Sequence, residues 1–129
     1  MLLDCQMTKQ PPFWSIAQGA GKTTEFIGAA FESGYMGLIY PPDKTWSIDF
    51  GKHEIMAGDG SGIPYKIATL TETNIRAFNK YQGEFTLNRL SGELQIYRQA
   101  GSNITIMGLT IPSSFSWTFR CSRSTSPLI

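Results

Sequence analysis

The sequence predicts an all-β fold: a single antiparallel β-barrel or sandwich spanning residues 1–129, with about seven to nine strands. Three observations predict it. After residue 44, apolar and polar residues alternate in short runs divided by Gly-containing turns, the period-two signature of half-buried strands. No part of the chain shows the regular strand–helix alternation that a parallel sheet requires. Two cysteines, Cys5 and Cys121, sit near opposite ends, each in a short alternating apolar segment. With 129 residues, 41% of them hydrophobic and 12% aromatic, the chain is long and apolar enough to bury one core.

Leu3, Cys5 and Met7 alternate as a first strand, which Gln10-Pro11-Pro12 ends. Phe13 to Ile16 reads as a further strand. Thr23 to Ser33 fits two templates. Phe26, Ile27, Ala30 and Phe31 fall on one helical face with Thr23 or Thr24 as the cap, so one short helix near 23–33 is allowed. The same residues also fit a strand broken at Gly28. Pro41-Pro42-Asp43 is a firm break. Trp46, Ile48 and Phe50 then alternate, Gly51-Lys52 turns the chain, and His53 to Ala57 returns as a hairpin partner. Gly58 to Gly62 reads as a flexible loop. Tyr65, Ile67 and Thr69 form the next strand, and a short one follows through Ile75 and Phe78. Glu84 to Gln99 is the clearest hairpin, with Phe85, Leu87, Leu94 and Ile96 on one face and Leu90-Ser91-Gly92 at the turn. Phe115, Trp117, Phe119 and Cys121 make a last strand with a large apolar face. Residues 122–126 read as a frayed end.

Both cysteines thus fall on the apolar face of a terminal strand. Chain ends of a closed sheet are often neighbours, which predicts a Cys5–Cys121 disulfide and adjacent first and last strands. Such a bridge points to an oxidising compartment, periplasmic or secreted. Met1 to Cys5 has neither a charged n-region nor an apolar h-region, so either a leader lies outside this chain or the protein is cytosolic.

Eleven Lys and Arg stand against ten Asp and Glu, with no block of like charge. A nucleic-acid partner is not expected without a basic stripe to meet phosphates. Arg89, Arg98, Arg120 and Arg123 are the one late basic enrichment and read as a solvated face. No apolar run approaches the ~20 residues that span a bilayer.

Candidate chemistry is sparse. Gly21, Lys22 and Thr23 match the end of a phosphate-binding G-x-x-x-x-G-K-[ST] loop, whose backbone N–H groups cradle phosphates while the Lys reaches their oxygens. Ile16 stands where the first Gly belongs, and Leu38-Ile39-Tyr40 runs into prolines rather than an acidic metal ligand. The competing assignment is a Gly-rich β-turn, Gln18-Gly19-Ala20-Gly21. His53 with Asp49 and a nearby Ser suggests a nucleophilic triad, but Asp59 precedes Gly60-Ser61-Gly62 where the elbow motif wants Gly. A surface pair is the better assignment. Two distant cysteines and one His make no zinc spacing, and no metal or cofactor is implied.

Four segments carry a family likeness: the Cys5 strand, Thr45-Trp46-Ser47-Ile48-Asp49-Phe50-Gly51-Lys52, Leu87-Asn88-Arg89-Leu90-Ser91-Gly92-Glu93, and the closing Phe119-Arg120-Cys121. In this layout the chain resembles a loose group of small bacterial secreted or periplasmic proteins of unknown function. It departs from them in lacking a leader and in its longer Pro11–Tyr40 region. The resemblance implies compartment and fold and transfers no site. The function expected is therefore a non-enzymatic domain that binds a protein or small ligand, with Trp14, Tyr35, Tyr40 and Tyr97 as exposed aromatic candidates. A degenerate nucleotide-binding loop and a small hydrolase are the alternatives. Ligand identity and oligomeric state are not encoded in any motif.

Overall fold

A computed structural model of the chain describes residues 1–34, 41–58, 63–81 and 83–123. Its centre is a closed antiparallel barrel of eight strands. In chain order these are β1 (Leu2–Lys9), β2 (Thr45–Asp49), β3 (Glu54–Ala57), β4 (Tyr65–Leu70), β5 (Asn74–Phe78), β6 (Glu84–Asn88), β7 (Glu93–Gln99) and β10 (Ser114–Arg123). Helices α1 (Pro12–Gly19) and α2 (Thr23–Glu32) follow β1, and a small hairpin, β8 (Ile104–Ile106) with β9 (Leu109–Ile111), precedes β10. The expected all-β barrel is present, with two helices where one was allowed.

From β2 to β7 each strand pairs with the next, so local hairpins build most of the wall. Closure is non-local: β10 lies between β7 and β1, and β1 pairs with β2 across the helical excursion. The inward rows are the apolar ones found in the sequence. Trp46 and Ile48, Ile75 and Ala77, Phe85 and Leu87, Leu94 and Ile96, and Phe115, Trp117 and Phe119 are all buried. An eight-stranded barrel has an interior just wide enough for side chains to fill or for one small ligand.

The first and last strands are neighbours, and Cys5 faces Cys121 directly in the register. Their sulfurs lie at bonding distance, 2.06 Å apart. The Cys5 N–H donates to Lys44 O and the Cys121 N–H to Gly92 O, so neither amide bonds to the other strand at this rung. It is therefore a non-hydrogen-bonded pair, where strands bring their Cα atoms closest; the separation here is 4.0 Å.

Several expectations need correction. Phe13 to Ile16 is not a strand but part of α1. Pro11 is the extended N-cap and Pro12 occupies the first turn, where the missing N–H costs nothing. Phe13, Trp14 and Ala17 then bury one helical face. In the ambiguous stretch the helix prevails, but its N-cap is Lys22 rather than Thr23 or Thr24 and makes no side-chain cap bond. Phe26 and Ala30 are buried, whereas Phe31 is 70% exposed. The β2–β3 connection is four residues, since Asp49 pairs with Glu54, and its left-handed residue is His53 (φ 55°) rather than Gly51. Strand β4 carries a bulge between Ile67 and Thr69 that breaks the simple alternation. Ser122 and Arg123 belong to β10, so the end expected to fray is partly strand. The loop expected over 59–62 and the segment Leu38-Ile39-Tyr40 lie outside the described residues.

Candidate functional site

The GAGKTT segment forms the joint between two helices. Gly21, in the left-handed region at φ 66°, follows the α1 C-cap Ala20. Its N–H donates to Gln18 O at 3.0 Å, closing the expected β-turn, and the Lys22 N–H donates to Ala17 O at 2.9 Å. These two bonds satisfy the last carbonyls of α1 in the Schellman arrangement. Thr23 then opens α2. Two of the amides that a phosphate would need are thus occupied by the helix stop, and a helix rather than a strand leads into the loop.

Asp49 and His53 share the β2–β3 turn. Asp49 Oδ1 accepts the Lys52 N–H at 3.0 Å, a turn-closing role, and His53 is exposed beside it. Among the described residues no group of three or more His, Cys, Asp or Glu could hold a metal ion. Nor is any helix among them long and apolar enough to cross a membrane. Trp14, expected at the surface, is 5% exposed and packs edge-on against Phe26 at 5.8 Å. Tyr97 is exposed as expected and donates its hydroxyl to Gln95 Oε1. Tyr35 and Tyr40 lie outside the described residues.

The chemistry gathers instead at one end of the barrel, where β4, β6 and β10 begin and β5 and β7 end. Alternation along β7 puts Arg98 on the same inward row as Leu94 and Ile96, opposite Phe115 in β10. Its guanidinium lies over the Trp117 ring, 4.8 Å from the centroid. That ring is fully buried, so Arg98 points into the barrel and not onto the solvated face expected for it. The arginine is half-buried. Loss of water lowers its pKa, and the nearby Tyr65 and Asp43 counter that shift. A guanidinium stays charged throughout.

One set of rings ends at this arginine, and a second lies within its electrostatic reach through Tyr65. One runs from the helices into the barrel: Phe26 to Phe13 at 6.0 Å, Phe13 to Phe115 at 5.0 Å, and Phe115 to Trp117 at 5.1 Å. It ties the α1–α2 pair to the open end of the barrel. The other is the cluster of Trp46, Tyr65 and Phe85, with centroids 5.4–6.0 Å apart. Trp46 satisfies its ring nitrogen on Asp43 O at 2.9 Å. The Tyr65 hydroxyl bonds to the Asn79 side chain. Trp117 differs: its Nε1 is buried without a hydrogen-bond partner. A buried indole donor normally finds an acceptor, and leaving one unmet costs roughly 1–3 kcal/mol.

A second feature is a groove of about 250 Å³ between α1 and the β8–β9 hairpin, bordered by Pro12, Ile16, Asn103, Leu109 and Pro112. It has no charged side chain in its lining.

Sequence reasoning missed Arg98 by counting it with surface arginines. The signal was present in Leu94-Gln95-Ile96-Tyr97-Arg98: carrying the alternation two residues past Ile96 lands Arg98 on the core face. The buried Trp117 was foreseen, but its unmet donor was not, because partners depend on the register between strands. No protein-family model, curated protein or solved structure matches the chain.

Proposed function

We propose that this chain is a non-enzymatic binding protein of an oxidising compartment, periplasmic or secreted, and that it holds a small ligand at the helix-tied end of its barrel. The observation that carries this reading is the inward Arg98 set on Trp117 beside the Trp46–Tyr65–Phe85 cluster. Core positions normally exclude arginine, because removing a charge from water is costly. A few polar groups converging among aromatic walls is the usual character of a small-molecule site. The Cys5–Cys121 bridge supports the compartment.

The test is a panel of neutral, anionic and cationic apolar compounds, read by thermal melting and tryptophan fluorescence. The chain has three tryptophans, and Trp14→Phe leaves Trp46 and Trp117 as reporters. Compounds that raise the melting temperature by several degrees should still alter fluorescence in that variant. No rise with any class of compound would overturn the small-ligand reading.

A further inference from the structure

We infer that the Cys5–Cys121 bridge is a site of thiol–disulfide exchange: an external dithiol opens it in the folded barrel by attacking the Cys121 sulfur, and the pair re-forms without unfolding. The bridge sits beside the β6–β7 turn, at the end of the barrel away from Arg98, so this holds with or without a ligand at the other end.

The register keeps the two cysteines together once the bond is open. Asp4 faces Ser122 and Leu3 faces Arg123 on one side of the pair, and Gln6 faces Arg120 and Met7 faces Phe119 on the other. Strand β1 is held again by β2, and β10 by β7. The cysteines thus lie inside a ladder that does not need their bond for adjacency. Reduction leaves two thiols face to face at a rung where strands come closest, placed to close again.

Access differs between the two sulfurs. Cys5 is 5% exposed, whereas Cys121 is partly exposed. The row across the strands runs from Cys5 through Cys121 to Gly92, whose O accepts the Cys121 N–H at 2.7 Å. A thiolate attacks a disulfide from the side away from the leaving sulfur, and access to that side sets the rate. At Cys121 that side belongs to Gly92, which has no side chain to cover it.

The exchange balances in two steps. A thiolate of the dithiol bonds to Cys121 Sγ, the bridge breaks, and Cys5 leaves as a thiolate that takes up a proton. The dithiol's second thiolate then attacks the dithiol sulfur of the mixed disulfide and releases Cys121, which is protonated in turn. Two electrons and two protons pass to the cysteines, and the dithiol becomes a disulfide.

The experiment is reduction of the oxidised full chain by dithiothreitol, with the freed thiols alkylated and counted by mass, in buffer and in urea below the unfolding transition. Exchange in the folded barrel predicts a rate that changes less than about twofold across that urea range, because little surface is exposed on the way. It also predicts a reduced protein that keeps its near-ultraviolet circular dichroism and recovers the bridge with oxidised glutathione. A rate that climbs exponentially with urea along the slope of global unfolding overturns the inference, as does loss of the folded signal on reduction. The point of entry is read in the single-thiol variants Cys5→Ser and Cys121→Ser. The Cys121 thiol is expected to react with oxidised glutathione about tenfold or more faster than the Cys5 thiol. Equal rates overturn entry at Cys121. Should either variant fail to fold, the urea dependence in the parent protein decides alone.

Discussion

At the scale of single residues, three positions show how context sets the role of a side chain. Arg98 and Arg120 belong to one basic enrichment in the sequence, yet Arg120 is exposed and Arg98 turns inward over Trp117. Gly92 has φ 79°, and a Cβ there would come within 2.4 Å of Cys121 O, so the β6–β7 turn can lie against the disulfide strand only with glycine. Tyr65 is buried at the candidate site. Burial pushes its phenol above the ordinary value of 10.0, against the pull of Arg98 and the bond to Asn79. The folded chain therefore holds the phenolic proton more tightly than the unfolded chain. The stability this group contributes is complete below the unfolded value and is lost as pH rises through the folded one. Tyr65→Phe should make the alkaline fall in unfolding free energy shallower from about pH 10 upward, read by urea titration. An alkaline limb of unchanged slope would mean that the phenol is not held in this environment.

At the scale of elements, the strands after residue 44 were legible because each hairpin writes its own period and turn. Phe85 and Leu87 against Leu94 and Ile96 needed no knowledge of the rest of the fold. The β8–β9 hairpin carried the same signal, Ile104-Thr105-Ile106 and Leu109-Thr110-Ile111 about a Met-Gly pair, and was overlooked because the turn lacks Asn or Asp. Met107 and Gly108 both have positive φ, 52° and 77°, the type I′ geometry of a two-residue hairpin turn. Methionine is strained there, and it is 49% exposed with little packing to lose. Met107→Asn should stabilise the protein by about 0.5–1 kcal/mol, a melting temperature higher by a few degrees. A lower melting temperature would show that the Met107 side chain contributes packing that outweighs the strain. Helix α1 was hidden for a different reason. Its apolar spacing covers little more than two turns, and Pro11-Pro12 reads equally as a strand stop and a helix start.

At the scale of the whole molecule, closure was only half legible. The sequence placed Cys5 and Cys121 on terminal strands with inward faces, so adjacency followed from the pair. It could not say that β10 would also complete the wall against β7, because that pairing joins segments with a hairpin between them. The bridge links residues separated by 116 positions, nearly the full chain. In the chain-entropy model such a loop stabilises by about 4–5 kcal/mol. Replacing both cysteines by alanine should lower the urea-derived unfolding free energy by most of that amount, and a loss under about 1 kcal/mol would contradict it. The same closure builds the candidate site. Ring contacts from Phe26 through Phe13 and Phe115 to Trp117 couple the helices to the barrel end where Arg98 turns inward.

The most direct measurement of small-ligand binding at that end is the indole N–H signal of Trp117 in a proton–nitrogen NMR titration with the panel compound that raises the melting temperature most. Trp117→Phe identifies the signal, and Trp46 and Trp14 serve as internal references. Binding at the helix-tied end predicts that the Trp117 indole signal shifts and saturates together with those of Arg98 and Tyr65, while the Leu90–Glu93 turn at the opposite end stays still. A saturating titration that leaves the Trp117 indole unmoved, with shifts confined to the α1–β9 groove or the far end of the barrel, would contradict it.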